Sequence, residues 1–436
     1  MRILYVVHGL PPEAVGGVEL QCHALATALA GSHAVGVLAG QSDASKPDYA
    51  LEAGRQGALE VWRLNHLFTD LASFSGLYQN PRIDALYDGV LERWRPDVVH
   101  VQHVIGLSTG ILERTKRRGI PLVLTLHDYW FGCPKGQRIR DPLVVCHEID
   151  RHLCVTCLKP QNYELRAARA PLWRWLRGAR VPSRRRGLRI LRQYDADMHR
   201  VLALPDAIVT PSRFHGEMYR RYGVEERKAR VIACGLPRRD FARVPRPAAG
   251  PFRVGFLGAL IPSKGAHVLL EAYRLLGRPD VELHFHGVAP PYHGDTGYLE
   301  RLRAVAAQIP GTIGFHGRYE PADVPGILAS LDALVVPSLW WESFSIVIRE
   351  GFLAGVPVVA AGHGAMAEAI EDGVNGLLFA PGDAADVARQ LRRLLEEPGL
   401  GQRLATTGHE VTSIEEAAAR HLEVYRSLLP EAACRA

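Results

Sequence analysis

Two glutamates, Glu342 and Glu350, stand eight positions apart in a stretch whose pattern could bind a nucleotide. The apolar run 333–336 before them is closed by Pro337, which predicts a buried parallel strand followed by a loop. Residues 347–353 predict a helix, so Glu342 lies in the loop and Glu350 inside the helix. A helix start offers free backbone N–H groups to phosphate, and a carboxylate one layer below suits a ribose diol. An ordinary capped helix with exposed acids would show the same pattern.

The stretch around these glutamates resembles the donor-binding core of the retaining, two-domain glycosyltransferases of family 4. The likeness rests on the Glu-x7-Glu pair, on Pro337 before it and on the segment 355–360 after it. It implies that Glu342 contacts the donor sugar and Glu350 the donor ribose. The family usually has Gly where this chain has Ser345, and a serine keeps the backbone N–H while adding a hydroxymethyl group beside the sugar.

Two further loops each follow the first strand of a strand–helix array. Gly16 and Gly17 leave room for close backbone approach at an electropositive helix start, although a lone Gly-Gly also fits a simple turn. The resemblance implies contact with donor phosphate or acceptor. Lys264 can neutralise a diphosphate as a point charge, or can be a plain exposed lysine. Its loop is similar to the family's Gly-Arg-x-x-x-x-Lys-Gly, with Ala259 in place of the Arg, which leaves Lys264 as the main charge on the leaving group.

His127 and Arg318 complete the predicted site. His127 follows a predicted strand and could be a satisfied core histidine, but the resemblance implies that it faces the reacting sugar, with Asp128 orienting it. Arg318 follows another strand, where the family binds the base. The predicted catalytic residues are Glu342, His127 and Lys264, and the predicted donor-binding residues are Gly16, Gly17, Lys264, Ser343, Phe344, Ser345, Glu350 and Arg318. Asp195 and Asp197 lie in a helical basic stretch, so we interpret them as surface acids.

Four cysteines within 25 residues form a possible metal site: Cys133, Cys146, Cys154 and Cys157. In a reducing compartment such a cluster favours a metal over disulfides, and four thiolates suit tetrahedral zinc. We predict a structural zinc ion, with His147 and His152 as possible substitute ligands. Four reduced thiols in a loop are the alternative. No cofactor is expected for catalysis.

The net charge of +6 is concentrated locally, with ten arginines between Arg166 and Arg192 and two tryptophans, Trp173 and Trp175, among them. A solvated basic face is one interpretation. Contact with an anionic membrane surface is the other, because Trp and Arg together suit the headgroup region. No nucleic-acid recognition motif accompanies the charge, so no nucleic-acid partner is expected. We expect no signal peptide and no membrane span, which predicts a cytoplasmic protein, and the membrane interpretation places it peripherally on the inner membrane face.

A chain of 436 residues predicts two domains, and strand-like runs alternate with helical patterns throughout. The predicted strands are 3–7, 35–38, 98–101, 122–125 and 207–210 in the first array, and 253–257, 281–285, 313–315, 334–336 and 356–359 in the second. We therefore predict an α/β fold with two doubly wound, Rossmann-like domains, which by resemblance face each other across a cleft in the GT-B arrangement. The predicted units are an acceptor-side domain 1–242 with an insertion at about 132–200, a linker 243–251, a donor domain 252–412, and a final helix within 413–436 that by resemblance crosses back.

The resemblance implies a retaining glycosyltransferase that moves a sugar from a nucleotide-diphospho-sugar to an acceptor hydroxyl. The basic stretch favours an acceptor that is lipid-linked, such as a growing polysaccharide or glycolipid. A nucleotide-sugar epimerase of similar architecture is an alternative, whereas a phosphorylase would need a pyridoxal lysine motif that is not found. A catalytically weak scaffold that docks at membranes is the alternative from another class, motivated by Ala259 and the arginines.

Overall fold

Short runs of buried apolar residues form the central strands in both halves of the chain, as parallel sheets covered on both faces require. The structure is a computed structural model, and it describes residues 1–160, 162–163, 184–241, 250–407 and 410–430. Within these residues the strands assemble into two large sheets and one small hairpin. The predicted α/β class with two parallel-sheet domains is confirmed.

The first sheet is built from eight strands. They are β1 (Arg2–Val7), β2 (Ala34–Gln41), β3 (Leu51–Gln56), β4 (Leu59–Asn65), β5 (Val98–Val101), β6 (Leu122–Thr125), β9 (Ala207–Thr210) and β10 (Ala229–Val231). Their order is β10-β9-β6-β5-β1-β2-β4-β3, and β3 runs antiparallel to β4 at one edge. Strands β3, β4 and β10 were not predicted from the sequence. Four consecutive residues of β3 are exposed, so the strand carries no alternation of buried and exposed positions.

The second sheet has six parallel strands. They are β11 (Phe252–Leu257), β12 (Val281–His286), β13 (Thr312–Gly317), β14 (Ala333–Val336), β15 (Val358–Ala361) and β16 (Leu377–Phe379). Their order is β13-β12-β11-β14-β15-β16, so the chain builds outward from β11 and then returns to its other side. This return creates a switch point between β11 and β14, and the first sheet has the same feature between β1 and β5. Ligands of open α/β sheets bind outside the strand ends at such points.

Helices cover the faces of both sheets. They are α1 (Gly17–Ala30), α2 (Pro81–Trp94), α3 (Gly110–Arg117), α4 (Arg151–Leu158), α5 (Arg184–Leu202), α6 (Arg213–Arg221), α7 (Ala266–Leu276), α8 (Tyr298–Ala306), α9 (Val324–Ala329), α10 (Ile346–Leu353), α11 (Gly364–Ala369), α12 (Ala384–Glu396), α13 (Leu400–Thr406) and α14 (Ile414–Leu428). None of the helices in the described ranges is long and apolar enough to cross a membrane.

The last helix, α14, follows the second domain but packs against α1 of the first. Its Tyr425 is fully buried, with its hydroxyl 2.8 Å from that of Tyr5 and 2.6 Å from Nδ1 of His100. The helix therefore supplies part of the hydrophobic core on one face of the first sheet.

The segment between β6 and β9 departs from the strand–helix alternation. It holds the hairpin strands β7 (Ile139–Arg140) and β8 (Val144–Val145), followed by α4 and α5. Residues 164–183, which carry the first five arginines of the basic stretch and both tryptophans, lie outside the described residues, as do 243–249 of the predicted linker. The prediction of surface acids is wrong for Asp197, which is buried and accepts a hydrogen bond from Tyr78 at 2.9 Å.

Candidate active site

The loops after β11 and β14 meet at the switch point of the second sheet, and they bring Lys264 and Glu342 together. Lys264 Nζ donates to Glu342 Oε1 at 2.7 Å. The same oxygen accepts hydrogen bonds from Ser338 Oγ at 2.6 Å and from Trp340 Nε1 at 3.0 Å. Glu342 is only 5% exposed, so these three donors compensate the loss of water around a buried carboxylate. The geometry fixes the orientation of Glu342 before any ligand arrives.

Lys264 is held at the start of α7 by a tight approach of the two loops. Gly265 adopts a left-handed φ of 76°, and a Cβ atom there would lie 1.9 Å from the carbonyl oxygen of Pro337. Only glycine fits this position, and it allows Lys264 to reach across to the neighbouring strand's loop. About 30% of the lysine side chain is exposed, so a ligand in the cleft can contact it.

The segment Ser343–Ser345 forms the start of α10. Ser345 has a left-handed φ of 62°, at the position where the family usually has Gly. Its hydroxyl is buried and has no hydrogen-bond partner among the described residues. A buried, unpaired hydroxyl beside free helix N–H groups is suited to a polar ligand.

Arg349, on α10, donates hydrogen bonds to the carbonyl groups of the segment Ser343–Ser345. Its guanidinium donates to the carbonyl oxygen of Phe344 and, at 3.4 Å, to that of Ser345, and it stacks 4.0 Å from the Phe344 ring centroid. Burial lowers the pKa of Arg349 to about 10, so the group stays protonated near neutral pH. Arg349 was not predicted from the sequence, although a charged residue in an otherwise apolar helix indicates a specific partner.

Glu350 lies one turn into α10 and is partly buried. Burial raises the pKa of its carboxyl to about 7. The pKa of Tyr319 is raised to about 12, first by burial and then by the nearby charge of Glu350. A perturbed carboxyl group close to the end of the central strands is a candidate for ligand contact.

The first domain contributes the loop that carries Gly16 and Gly17 to the other side of the cleft. A Cβ atom at Gly16 would lie 2.6 Å from Glu19 Oε2, and one at Gly17 would lie 3.5 Å from Cδ1 of Ile346. The loop therefore lies beside the start of α10, and the glycines allow close packing there. Glu19 accepts a hydrogen bond from His8 Nε2 at 3.0 Å.

His127 lies at the end of β6 and is 9% exposed. Its Nε2 is 2.7 Å from Oε1 of Gln102, so Nε2 donates and Nδ1 keeps a lone pair. Burial, followed by the charge of His103, lowers the pKa of His127 to about 3, which keeps the ring neutral. The expectation that Asp128 orients His127 is wrong, because the Asp128 carboxylate contacts His103 at 3.3 Å and the N–H of Trp130 at 2.8 Å.

Arg318 follows β13, but its side chain is 60% exposed and pairs with Glu320 at 3.1 Å. Its contacts are therefore with a neighbouring surface residue rather than with Lys264, Glu342 or Glu350. The role of Arg318 in binding the nucleotide base stays a prediction.

Three hydrogen bonds join the domains beside residues 337–345, the loop between β14 and α10. Ser212, the N-cap of α6, donates from Oγ to the carbonyl oxygen of Ser343 at 2.6 Å. Glu368 on α11 accepts the backbone N–H groups of Arg213 and Phe214, at 3.0 and 2.7 Å. The negative carboxylate thus caps the positive end of α6 across the interface. These residues were not predicted from the sequence, since each resembles an ordinary helix cap or surface acid along the chain.

All four clustered cysteines line one cavity of about 420 Å³ between the β7–β8 hairpin and α4. They are free thiols of intermediate burial. No three His, Cys, Asp or Glu side chains in the described part of the chain stand in a ready metal-binding arrangement. The predicted zinc ion therefore stays a prediction.

Two family models match this chain. The model of Glycosyltransferase Family 4 matches residues 15–240, just over half of the chain, and that of Glycosyl transferases group 1 matches residues 238–411. The chain belongs to glycosyltransferase family 4, and it is a glycosyltransferase enzyme.

Named relatives and solved structures resemble most of the chain. The glycogen synthase of Mycobacterium tuberculosis is 26% identical over 431 residues, covering 94% of this chain and 90% of that protein. The MMP alpha-(1->4)-mannosyltransferase of Mycolicibacterium hassiacum is 27% identical, covering 78% of this chain and 72% of that protein. The structure of HepE from Anabaena in complex with UDP and glucose superposes with a TM-score of 0.67 at 20% identity, covering 98% of this chain and 99% of that one. This structural likeness shows that the GT-B fold is shared.

Proposed function

We propose that this glycosyltransferase uses a nucleotide-diphospho-sugar donor and transfers the sugar with retention of anomeric configuration. The observation that carries the proposal is the convergence of Lys264, Glu342 and the start of α10 at one switch point. A cation and free helix N–H groups suit a diphosphate, while a buried carboxylate suits the hydroxyl groups of a sugar. The relative HepE was solved with UDP and glucose, which supports the same class of donor here.

The proposed transfer depends on stabilising the leaving diphosphate. As the glycosidic bond breaks, negative charge grows on the phosphate, and Lys264 with the α10 N–H groups would stabilise that charge. Contact with phosphate would loosen the 2.7 Å pair between Lys264 and Glu342, which frees the carboxylate for the sugar. Retention is consistent with attack of the acceptor from the face of the leaving group, with the donor phosphate taking the acceptor proton. Neutral His127, fixed by Gln102, would hydrogen-bond to the reacting sugar rather than accept a proton as a strong base.

Glu350 is proposed to bind the donor ribose. The carboxyl lies inside α10, one turn below the segment proposed to bind phosphate, and its raised pKa reflects burial without a compensating charge. Two ribose hydroxyl groups would supply the hydrogen bonds that an ionised carboxylate needs in a partly buried place.

The acceptor is proposed to be a lipid-linked saccharide, such as a growing polysaccharide or glycolipid. The support is the arginine-rich stretch of the sequence, of which only Arg184 to Arg192 fall in the described residues, at the start of α5. Each arginine near an anionic surface adds roughly 1 kcal/mol before screening. The names glycogen synthase and mannosyltransferase among the relatives fit a saccharide acceptor.

A donor screen tests the proposed reaction. Melting temperatures would be measured with a panel of nucleotide sugars, and slow donor hydrolysis without acceptor would be followed for any that stabilise the protein. We expect one nucleotide class to raise the melting temperature and its sugar to be released with the original anomeric configuration. Binding without any hydrolysis or transfer would instead support a catalytically weak scaffold.

The acceptor proposal is tested by sedimentation with vesicles. The protein should pellet with anionic but not neutral vesicles at low salt, and high salt should release it, since the screening length is about 8 Å at physiological ionic strength. If it pellets with neither kind, or equally with both at any salt, the basic stretch is a solvated face and the lipid-linked acceptor loses its support.

A further inference from the structure

We propose that Cys133, Cys146, Cys154 and Cys157 hold one structural zinc ion. This ion stabilises the insertion at the point where the insertion contacts residues 337–345, the donor loop between β14 and α10. The four thiols come from three separate elements: the turn after β6, the end of the β7–β8 hairpin, and α4. The chain nevertheless brings all four to the wall of one cavity. The two cysteines of α4 are three positions apart, so they share one face of the helix.

A charged hydrogen-bond donor lies beside one of these sulfurs, as a metal-bound thiolate favours. Arg151 Nη1 lies 3.7 Å from Sγ of Cys154. Such donors to sulfur are the outer contacts that stabilise metal-bound thiolates. A neutral thiol, as a weak acceptor, needs none of them.

The charges around the cavity also fit a bound tetrathiolate. Four thiolates and one zinc ion carry a net charge of −2, and two buried or half-buried cations, Arg138 and Arg151, line the same cavity. Arg151 is itself held by the carboxylate of Asp195 and donates to the carbonyl oxygen of Gly132 at 3.1 Å. Its guanidinium is therefore fixed beside the sulfurs rather than free to leave.

The sulfurs do not converge on one point as they stand, so metal binding must draw them inward. The cavity of about 420 Å³ leaves space for this movement, and a cysteine moves its sulfur by a change of one staggered rotamer. Zinc binds thiolates at about 2.3 Å in a tetrahedron, which would close the cavity around the ion.

The segment 134–153, which lies between the first and the third of these cysteines, contacts the donor domain. Arg138 donates to the carbonyl oxygen of His147 at 2.8 Å, and its guanidinium lies 5.4 Å from the Trp341 ring centroid. The His147 ring packs edge-on against Trp341 at 5.1 Å, and the Tyr292 hydroxyl donates to Gln137 at 2.8 Å. Because Trp341 directly precedes Glu342, this brace sets the shape of the donor loop. The effect of these contacts on sugar transfer rests on the proposed function, whereas the binding of zinc does not.

Elemental analysis of the wild-type protein, purified without added metal, tests the proposal directly. We expect about one zinc ion per chain, released in step with modification of four thiols by a mercurial reagent. Replacing zinc by cobalt should give the visible absorption of a tetrahedral thiolate site. A metal-free protein whose four thiols titrate freely in the native state, or which contains a disulfide by mass spectrometry, would overturn the proposal.

Variants locate the site. The double variant Cys154→Ser with Cys157→Ser should lose the zinc and melt at a lower temperature. The matched control, Cys22→Ala, changes a buried thiol in α1 and should keep one zinc ion per chain. If the double variant does not fold, the metal content and cobalt spectrum of the wild type decide the question. Zinc bound equally by the folded double variant would place the metal elsewhere and refute the assignment, and a loss of transfer activity alone would bear only on the proposed function.

Discussion

Replacing Glu350 by glutamine should make the protein more stable and at the same time weaken its affinity for nucleotides. Burial raises the pKa of Glu350 to about 7, from an ordinary value of 4.5. The folded state therefore binds this proton more tightly than the unfolded chain does. The stability is highest below about pH 4.5, falls as the pH rises towards about 7, and stays low above it. A glutamine, which does not ionise, should escape this loss.

The magnitude follows from the difference between the two pKa values. The 2.5 units from 4.5 to 7 correspond to about 3 kcal/mol at 1.36 kcal/mol per unit. Because the side chain is only partly buried, solvent reduces the penalty, and we expect a gain of about 1–3 kcal/mol for Glu350→Gln at pH 8. The gain at pH 5 should be less than half of this. Loss of a charged hydrogen-bonding partner should weaken nucleotide binding by about 2 kcal/mol.

Urea unfolding at pH 5 and pH 8, without nucleotide, measures the first effect, and calorimetric titration with UDP at pH 8 measures the second. Glu300→Gln is a matched control, since Glu300 lies exposed on α8 of the same domain and should change neither quantity. Equal stability changes at both pH values would refute the ionisation argument. An unchanged affinity for UDP in Glu350→Gln would instead refute the ribose assignment.

Three further predictions concern the neighbouring side chains. Lys264→Ala should lower kcat more than donor affinity, because charge on the diphosphate grows in the transition state; a rise in KM alone would make Lys264 a ground-state anchor. Gln102→Leu should lower kcat, because the His127 ring loses its hydrogen-bond partner. Since the pKa of His127 is about 3, this residue should cause no inflection in the pH–rate profile between pH 5.5 and 8, and the profiles of the wild type and His127→Ala should have the same shape. Arg349→Met should weaken nucleotide binding by loosening the Phe344 and Ser345 carbonyl groups, whereas Arg392→Met on the exposed face of α12 should not; equal affinities would show that Arg349 does not position the loop.

The sequence predicted the strands and loops of the site well because they are strongly patterned. The run 333–336 and the helix after it lie within one residue of their predicted places, and Glu342 and Lys264 fall in the loops expected of them. In a parallel sheet the apolar run, its closing proline and the helix that follows are all local signals. The resemblance to family 4 also depended on these local segments.

The contacts of these residues could not be predicted, because they join positions that are distant in the chain. Nothing in the sequence pairs Lys264 with Glu342, Gln102 with His127, or Ser212 with Ser343. The error on Asp128 has the same origin, since a neighbour in sequence seemed the natural partner for His127. The exposed strand β3 was missed because it lacks the buried alternation by which strands are recognised.

The placement of α14 has a consequence for how the protein is made. The sheet of the first domain ends at Val231, yet part of the core on its face comes from Ile414 and Tyr425. A ribosome must add about 190 residues between the end of β10 and Tyr425, which takes roughly 10–40 s at 5–20 residues per second. During that interval the hydroxyl of Tyr5, the ring of His100 and the apolar surface of α1 are without the helix that covers them. The nascent first domain therefore exposes this apolar surface until synthesis is nearly finished.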